Sequence, residues 1–151
     1  MVEAHRYLAG AVYYVDDDEV ELPGESTRRL HDERRPVVVV SDQGEVNQTN
    51  AQSPRDWPSV LVVPVSSSTS YRTRFDVKLS AGCGNLSKKA WARIPALQPI
   101  DKSALKELIG LVPMEVLEDI TAQILNYLGL IEPEPSEEEE EGEEEEEDLA
   151  H

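Results

Sequence analysis

The sequence predicts an α+β domain, a small β-barrel with C-terminal helices and a disordered acidic tail. Three observations lead there. Short β-branched runs separated by turn-rich loops fill residues 11–94, helical spacing begins only after Pro99, and residues 132–151 are almost all acidic. The tail has twelve Glu and one Asp and no Lys or Arg, so most of the formal charge of −17 lies there. Residues 1–131 keep 18 acids against 14 bases. The chain divides into a domain over 1–131 and a tail over 132–151, which is self-repelling, poor in apolar residues and expected to be disordered. A domain of this size buries about two-thirds of its extended-chain surface, so one core suffices.

Each element follows from its local pattern. Ala11 to Val15 comes after Gly10 and mixes β-branched and aromatic residues, a first strand. Asp16 to Arg35 is charged, holds Pro23 and Gly24, and reads as a long loop of the kind that often carries function. Val37 to Val40 and Val60 to Val65 are continuous apolar runs, expected as strands buried on both faces, with Pro64 implying an edge or a bulge. Arg74 to Leu79 alternates polar and apolar, a half-buried strand, and Gly82 to Asn85 is a turn before a returning strand over Lys89 to Ile94. Asp101 or Ser103 caps an expected short helix over Ala104 to Ile109, ended by Gly110. Pro113 opens a longer helix to Leu128, closed by Gly129. Val116, Leu117, Ile120, Ile124, Leu125 and Leu128 form a stripe on that helix, which reads as core or dimer contact.

Composition narrows the function. Cys83 is the single cysteine, which excludes an intramolecular disulfide framework and a cysteine zinc cluster and suits a reducing compartment. No apolar run approaches the ~18 residues that cross a bilayer, and the start of the chain lacks a signal-peptide core, so a cytoplasmic protein without membrane partners is expected. His5, His31 and His151 give little support for a metal site, and no Gly-rich phosphate loop is present, so no metal or cofactor is expected. Asp16, Asp17 and Asp18 read as a solvated acidic loop rather than a cation site. Asn47 and Asn85 begin glycosylation-type triplets that are chance matches in such a protein.

The middle of the chain is basic. Residues 28–106 have 13 bases and seven acids, whereas residues 1–27 have seven acids and one base. Gathered on one face, Arg72, Arg74, Lys78, Lys88 and Lys89 would be a footprint for a polyanion; scattered, they would only solubilise. Arg34-Arg35-Pro36 precedes a buried strand and Ser66-Ser67-Ser68 follows another. A guanidinium beside a hydroxyl can grip phosphate and stabilise charge building on phosphorus.

Gly10-Ala-Val-Tyr-Tyr-Val15, then Arg35-Pro36-Val-Val-Val-Val-Ser41, then Val62-Val-Pro-Val-Ser-Ser67 resemble, in order and spacing, the MazF/PemK (Kid) toxins of bacterial type II toxin–antitoxin systems. The similarity covers roughly residues 8–130. It implies a small SH3-like or CcdB-like barrel, a homodimer, an antitoxin protein as partner, and metal-independent cleavage of single-stranded RNA. It also implies that Arg35 and Arg93 are catalytic arginines and that Ser66 stands at a catalytic threonine position. Where the family has an Asp-Gln pair, this chain has Pro95-Ala96, and proline cannot act as a base.

The implied reaction is attack of the ribose 2′-hydroxyl on the adjacent phosphate, leaving a 2′,3′-cyclic phosphate and a 5′-hydroxyl. Arg34, Ser67, Arg72, Arg74, Lys78, Lys88 and Lys89 would hold the strand. Two other classes stay open: a non-catalytic member that binds nucleic acid or an antitoxin, and a CcdB-like poison of DNA gyrase. The tail can fold back over the basic segment as an RNA mimic or stay solvated.

Overall fold

The structure, a computed structural model, describes residues 9–23, 34–41 and 57–130. Seven strands are found among them: β1 Ala11–Asp16, β2 Arg34–Val39, β3 Ser59–Ser66, β4 Val77–Leu79, β5 Ala90–Ala92, β6 Gln98–Asp101 and β7 Glu107–Leu111. One helix follows, α1 Met114–Tyr127. Every strand pairing among the described residues is antiparallel, and the order along the sheet is β4-β5-β3-β2-β1-β7. β6 pairs the first half of β3. The sheet curls into a half-barrel with α1 at one side.

The valine runs explain the curl. Val37, Val38 and Val39 have no exposed surface, so β2 is covered on both faces. The period-2 geometry of a strand sends Val12, Val38 and Val63 to one core, with Leu79, Leu86, Ile94 and Ile120. Ala11, Tyr13, Val37, Val39 and Val62 go to a second, with Val15, Val20 and Ile100. The register of Val12 opposite Val38 and Val38 opposite Val63 keeps the first set in line. A slip of one residue would exchange the two cores. Pro64 sits where β3 passes from β6 to β5, and its carbonyl accepts the Arg93 backbone N–H at 2.8 Å.

The expected stripe on α1 packs inward. Ile120 is fully buried, and Val116, Leu117 and Ile124 lie on the first core, but Leu128 is 58% exposed. Gly129, at φ +79°, ends the helix: its N–H bonds the Asn126 carbonyl and the Leu130 N–H bonds the Leu125 carbonyl.

Three expectations are corrected. The segment read as a short helix over Ala104 to Ile109 is a helical turn over Lys102–Ala104 followed by β7, which pairs β1. The open edge of β1 offers a full ladder, and Leu108, Ile109 and Leu111 serve a strand as well as a helix. Gly110 does not end a helix. A Cβ there would lie 2.8 Å from Asn85 Nδ2 and 2.9 Å from the Gly84 carbonyl oxygen, so glycine lets the turn at Gly82–Asn85 cross β7. The structure also adds β6, a strand the sequence reading did not name; it tolerates Pro99 because, among the described residues, β3 is its only partner strand. The alternating strand expected from Arg74 shortens to β4, because Asp76 closes a turn by accepting the Thr73 N–H at 3.0 Å. The acidic tail, His31 and the Asn47 triplet lie outside the described residues.

Candidate active site

Arg35 lies near the start of β2, opposite Val15 of β1. Its Nε donates to Asp17 Oδ1 at 2.6 Å and its Nη1 to the Val65 carbonyl at 3.0 Å. The Arg35 and Asp17 side chains are only 14% and 8% exposed. Burial removes the water that would otherwise screen the pair and let the guanidinium swing. Asp17 reaches this place because β1 ends at Asp16 and the chain turns at once through Asp17–Glu19, with Val20 buried in the second core. The guanidinium is thus fixed at the end of the sheet, on the wall of a cleft of about 260 Å³. Tyr14, Arg34, Ser67, Ser87 and Lys88 also line that cleft. Arg34 lies 4.4 Å from the Tyr14 ring and bonds Glu107.

Ser66 ends β3 and is buried, at 4% exposure. Its hydroxyl accepts the Ser68 N–H at 3.2 Å and so folds the serine run that follows. Ser67, exposed, is the member of that run that faces the Arg35 cleft.

Arg93 lines a different cavity, although its backbone N–H bonds the carbonyl of Pro64, next to the Val65 that holds Arg35. It follows β5, is 5% exposed, and lines a second cavity of about 540 Å³. Its Nη1 donates to Asp76 Oδ2 at 3.1 Å, and its Nη2 bonds the Ser68 carbonyl and, at 3.0 Å, the Ser70 carbonyl. The Asp76 side chain is 1% exposed; its Oδ1 also accepts the Ile94 N–H at 3.2 Å and the Thr73 hydroxyl at 3.1 Å. A carboxylate therefore stands beside Arg93 although Pro95 occupies the place expected to hold one. It comes from the turn before β4. Arg93 ties that turn to the serine run, so its guanidinium braces the loop that carries Ser67.

The basic residues gather in part. Ser66 is opposite Trp91, and Trp91 is opposite Lys78, so the three share one face across β3, β5 and β4. Arg72 lies 4.9 Å and Lys89 5.4 Å from the Trp91 ring, which places two further cations on the same indole. Lys88 joins the Arg35 cleft. Arg74 departs from the set: it stacks 4.5 Å from Phe75, whose ring meets Tyr127 of α1 edge-on at 5.1 Å.

Sequence reading missed Asp17, taken for a solvated acid, and Asp76, taken for the polar face of a strand. Neither carboxylate lies near its arginine in sequence, and the one hint was that Asp76 is one of few acids in a basic stretch. Cys83 belongs to neither cavity, and burial pushes its thiol up. Among the described residues no group of three or more His, Cys, Asp or Glu comes together to hold a metal ion, and no helix is long and apolar enough to cross a membrane.

Comparison with known proteins follows the same lines. The sequence over residues 9–128 matches the model of the PemK-like, MazF-like toxins of type II toxin–antitoxin systems. No curated protein matches the chain. The fold resembles an endoribonuclease in complex with its cognate antitoxin from a mycobacterial species, with 21% identity, a TM-score of 0.57, and 83% of this chain and 98% of that one covered. It also resembles the Mycobacterium tuberculosis toxin MazF-mt6, with 17% identity, a TM-score of 0.56, and coverage of 81% and 99%. MazF from Deinococcus radiodurans is similar as well, at 19% identity and a TM-score of 0.56, with 81% and 96% covered. With its antiparallel half-barrel, C-terminal helix and matched sequence, the chain belongs to the PemK-like, MazF-like toxin family of type II toxin–antitoxin systems.

Proposed function

We propose that the protein is an endoribonuclease that cuts single-stranded RNA without a metal ion, as the toxin of an antitoxin pair. The observation that carries this reading is Arg35, held by Asp17 and the Val65 carbonyl on the wall of a cleft that Arg34, Ser67 and Lys88 also line. A cation fixed before the substrate arrives stabilises charge that appears only in the transition state. In the reaction the ribose 2′-oxygen bonds the adjacent phosphorus and gives up its proton. The bond from phosphorus to the 5′-oxygen breaks, and that oxygen takes a proton. Arg35 stabilises the pentavalent phosphorane, the hydroxyls of the Ser66–Ser67 step orient a phosphate oxygen, and Arg93 acts through the loop it braces.

Family membership supports the toxin role, and the endoribonucleases among the similar structures, one with its antitoxin, support RNA cleavage and an antitoxin partner. In this reading the half-barrel is a relative of the CcdB-like and SH3-like barrels, and the protein acts as a homodimer in the cytoplasm. The cations around Trp91 hold the strand by its phosphates and are the surface an acidic antitoxin segment would cover. The test is to incubate purified protein with single-stranded RNA in EDTA and analyse the new ends. A 2′,3′-cyclic phosphate and a 5′-hydroxyl are expected; a 5′-phosphate would mean a different chemistry. Pro95, in place of the family's Asp, favours a second reading, a binding member without catalysis. RNA bound but left intact would support that one.

A further inference from the structure

In the proposed reaction the 5′-oxygen leaves phosphorus as an alkoxide, a base so strong that its departure calls for a proton. Among the described residues that line the Arg35 cleft, few can supply one. Arg35 cannot, because a guanidinium keeps its protons in proteins, and Asp17 and the Val65 carbonyl hold its Nε and Nη1. Arg34 is excluded on the same ground and bonds Glu107. The hydroxyls of Ser67 and Ser87 are aliphatic alcohols, no more acidic than the alcohol that leaves. Tyr14 and Lys88 remain. The Tyr14 ring is half-buried on β1 and carries the Arg34 guanidinium 4.4 Å from its centroid. Lys88 is exposed at the cleft, and among the described residues no carboxylate pairs its ammonium. Its backbone is held on both sides: Leu86 and Ala90, two residues away in each direction, are buried in the first core, and the Leu86 carbonyl accepts the Gly82 N–H at 2.7 Å. Lys89, by contrast, lies 5.4 Å from the Trp91 ring, so the two consecutive lysines divide between the cleft and the Trp91 cluster.

We propose that Lys88 is the general acid of RNA cleavage, giving its proton to the departing 5′-oxygen. The assignment rests on the RNA reading and deepens it, since it names the source of the leaving group's proton. The 2′-hydroxyl gives its proton to solvent as its oxygen bonds phosphorus. The electron pair of the bond from phosphorus to the 5′-oxygen goes to that oxygen, which takes a proton from the Lys88 ammonium, and the neutral amine regains one from water. An ammonium suits this step because its charge offsets the developing alkoxide and its proton completes the alcohol. Arginine at the same place would keep the charge and lack the transferable proton.

The test compares, for the full chain, an ordinary single-stranded RNA with the same RNA carrying sulfur in place of the 5′-oxygen at the linkage that wild type cuts. A thiolate is a far weaker base than an alkoxide and leaves without a proton. Lys88→Ala should cut the ordinary RNA about 100-fold or more slowly than wild type, the scale of a lost general acid, and the sulfur RNA within about threefold of it. Lys88→Arg should stay slow on the ordinary RNA, by about tenfold or more, and recover on the sulfur RNA. Arg35→Ala should stay about tenfold or more below wild type on both, because it acts on the phosphorane. Lys88→Ala equally slow on both substrates, or Lys88→Arg at the wild-type rate on ordinary RNA, would reduce Lys88 to a phosphate contact and overturn the proposal. Sulfur rescue in Tyr14→Phe in place of Lys88→Ala would overturn it in favour of Tyr14. A wild type that cuts neither RNA defeats the RNA reading and this assignment together, whereas the other adverse outcomes leave the RNA reading standing.

Discussion

Two arginines and two aspartates organise the sheet end, and neither pair is adjacent in sequence. Arg35 with Asp17 and Arg93 with Asp76 are joined over 18 and 17 residues, so nothing local announces them. The arginines were legible because each borders an apolar run; their carboxylates were not, because a short acidic run reads as solvated until the fold buries one member. In the proposed reaction Asp17 would be a positioning residue, acting through Arg35. Asp17→Asn keeps the shape but weakens the grip on Arg35, and a displacement of ~1 Å in a reacting group can cut the rate up to ~100-fold. RNA cleavage by Asp17→Asn should therefore fall about tenfold or more, in kcat, with KM within about threefold. A loss confined to KM would mean that Asp17 serves binding instead. Cys83 gives a second check at this scale. Its thiol is pushed up by burial, and only the thiolate reacts. Alkylation by iodoacetamide at neutral pH should be slower than for a free cysteine, and should accelerate at higher pH than the free thiol does. Equal rates in the folded protein and in denaturant would contradict that burial.

Strands with β-branched runs were readable one by one, since Val37 to Val40 and Val60 to Val65 have no other good use for so much apolar surface. β7 was not, because its residues suit helix and strand alike and only the free edge of β1 decides between them. A glycine that looked like a helix end is instead a crossing point, which no pattern within a dozen residues reveals. Gly110→Ala should destabilise the protein by about 1–3 kcal/mol, the usual penalty of an overpacked contact, read as a lower denaturant midpoint. An unchanged midpoint would show that Gly84 and Asn85 can move aside. Ile120 carries the helix-to-sheet contact and is fully buried, so Ile120→Ala should lose about 2–5 kcal/mol, whereas Leu128→Ala, on the exposed part of the same stripe, should stay within about 0.5 kcal/mol in dilute solution.

At the scale of the molecule the charge is divided between a basic middle and an acidic end, and the basic part resolves into the Arg35 cleft and the Trp91 cluster. The sequence showed that cations were present but not that Arg74 would stack on Phe75, away from the Trp91 cluster. If Arg72 contacts a phosphate, Arg72→Ala should weaken RNA binding and reduce the slope of log affinity against log salt by about 0.7. An unchanged slope would remove Arg72 from the phosphate path. Leu108, Leu111 and Met114 remain exposed around β7 and the start of α1, and a homodimer should show in light scattering as twice the mass of one chain. The most direct test of the whole account is the rate at which wild type and Arg35→Ala cut one single-stranded RNA in EDTA. Wild type should cleave it and Arg35→Ala should be slower by about 100-fold or more, the usual loss when a preorganised stabiliser of the transition state is removed; full activity in Arg35→Ala would contradict the account.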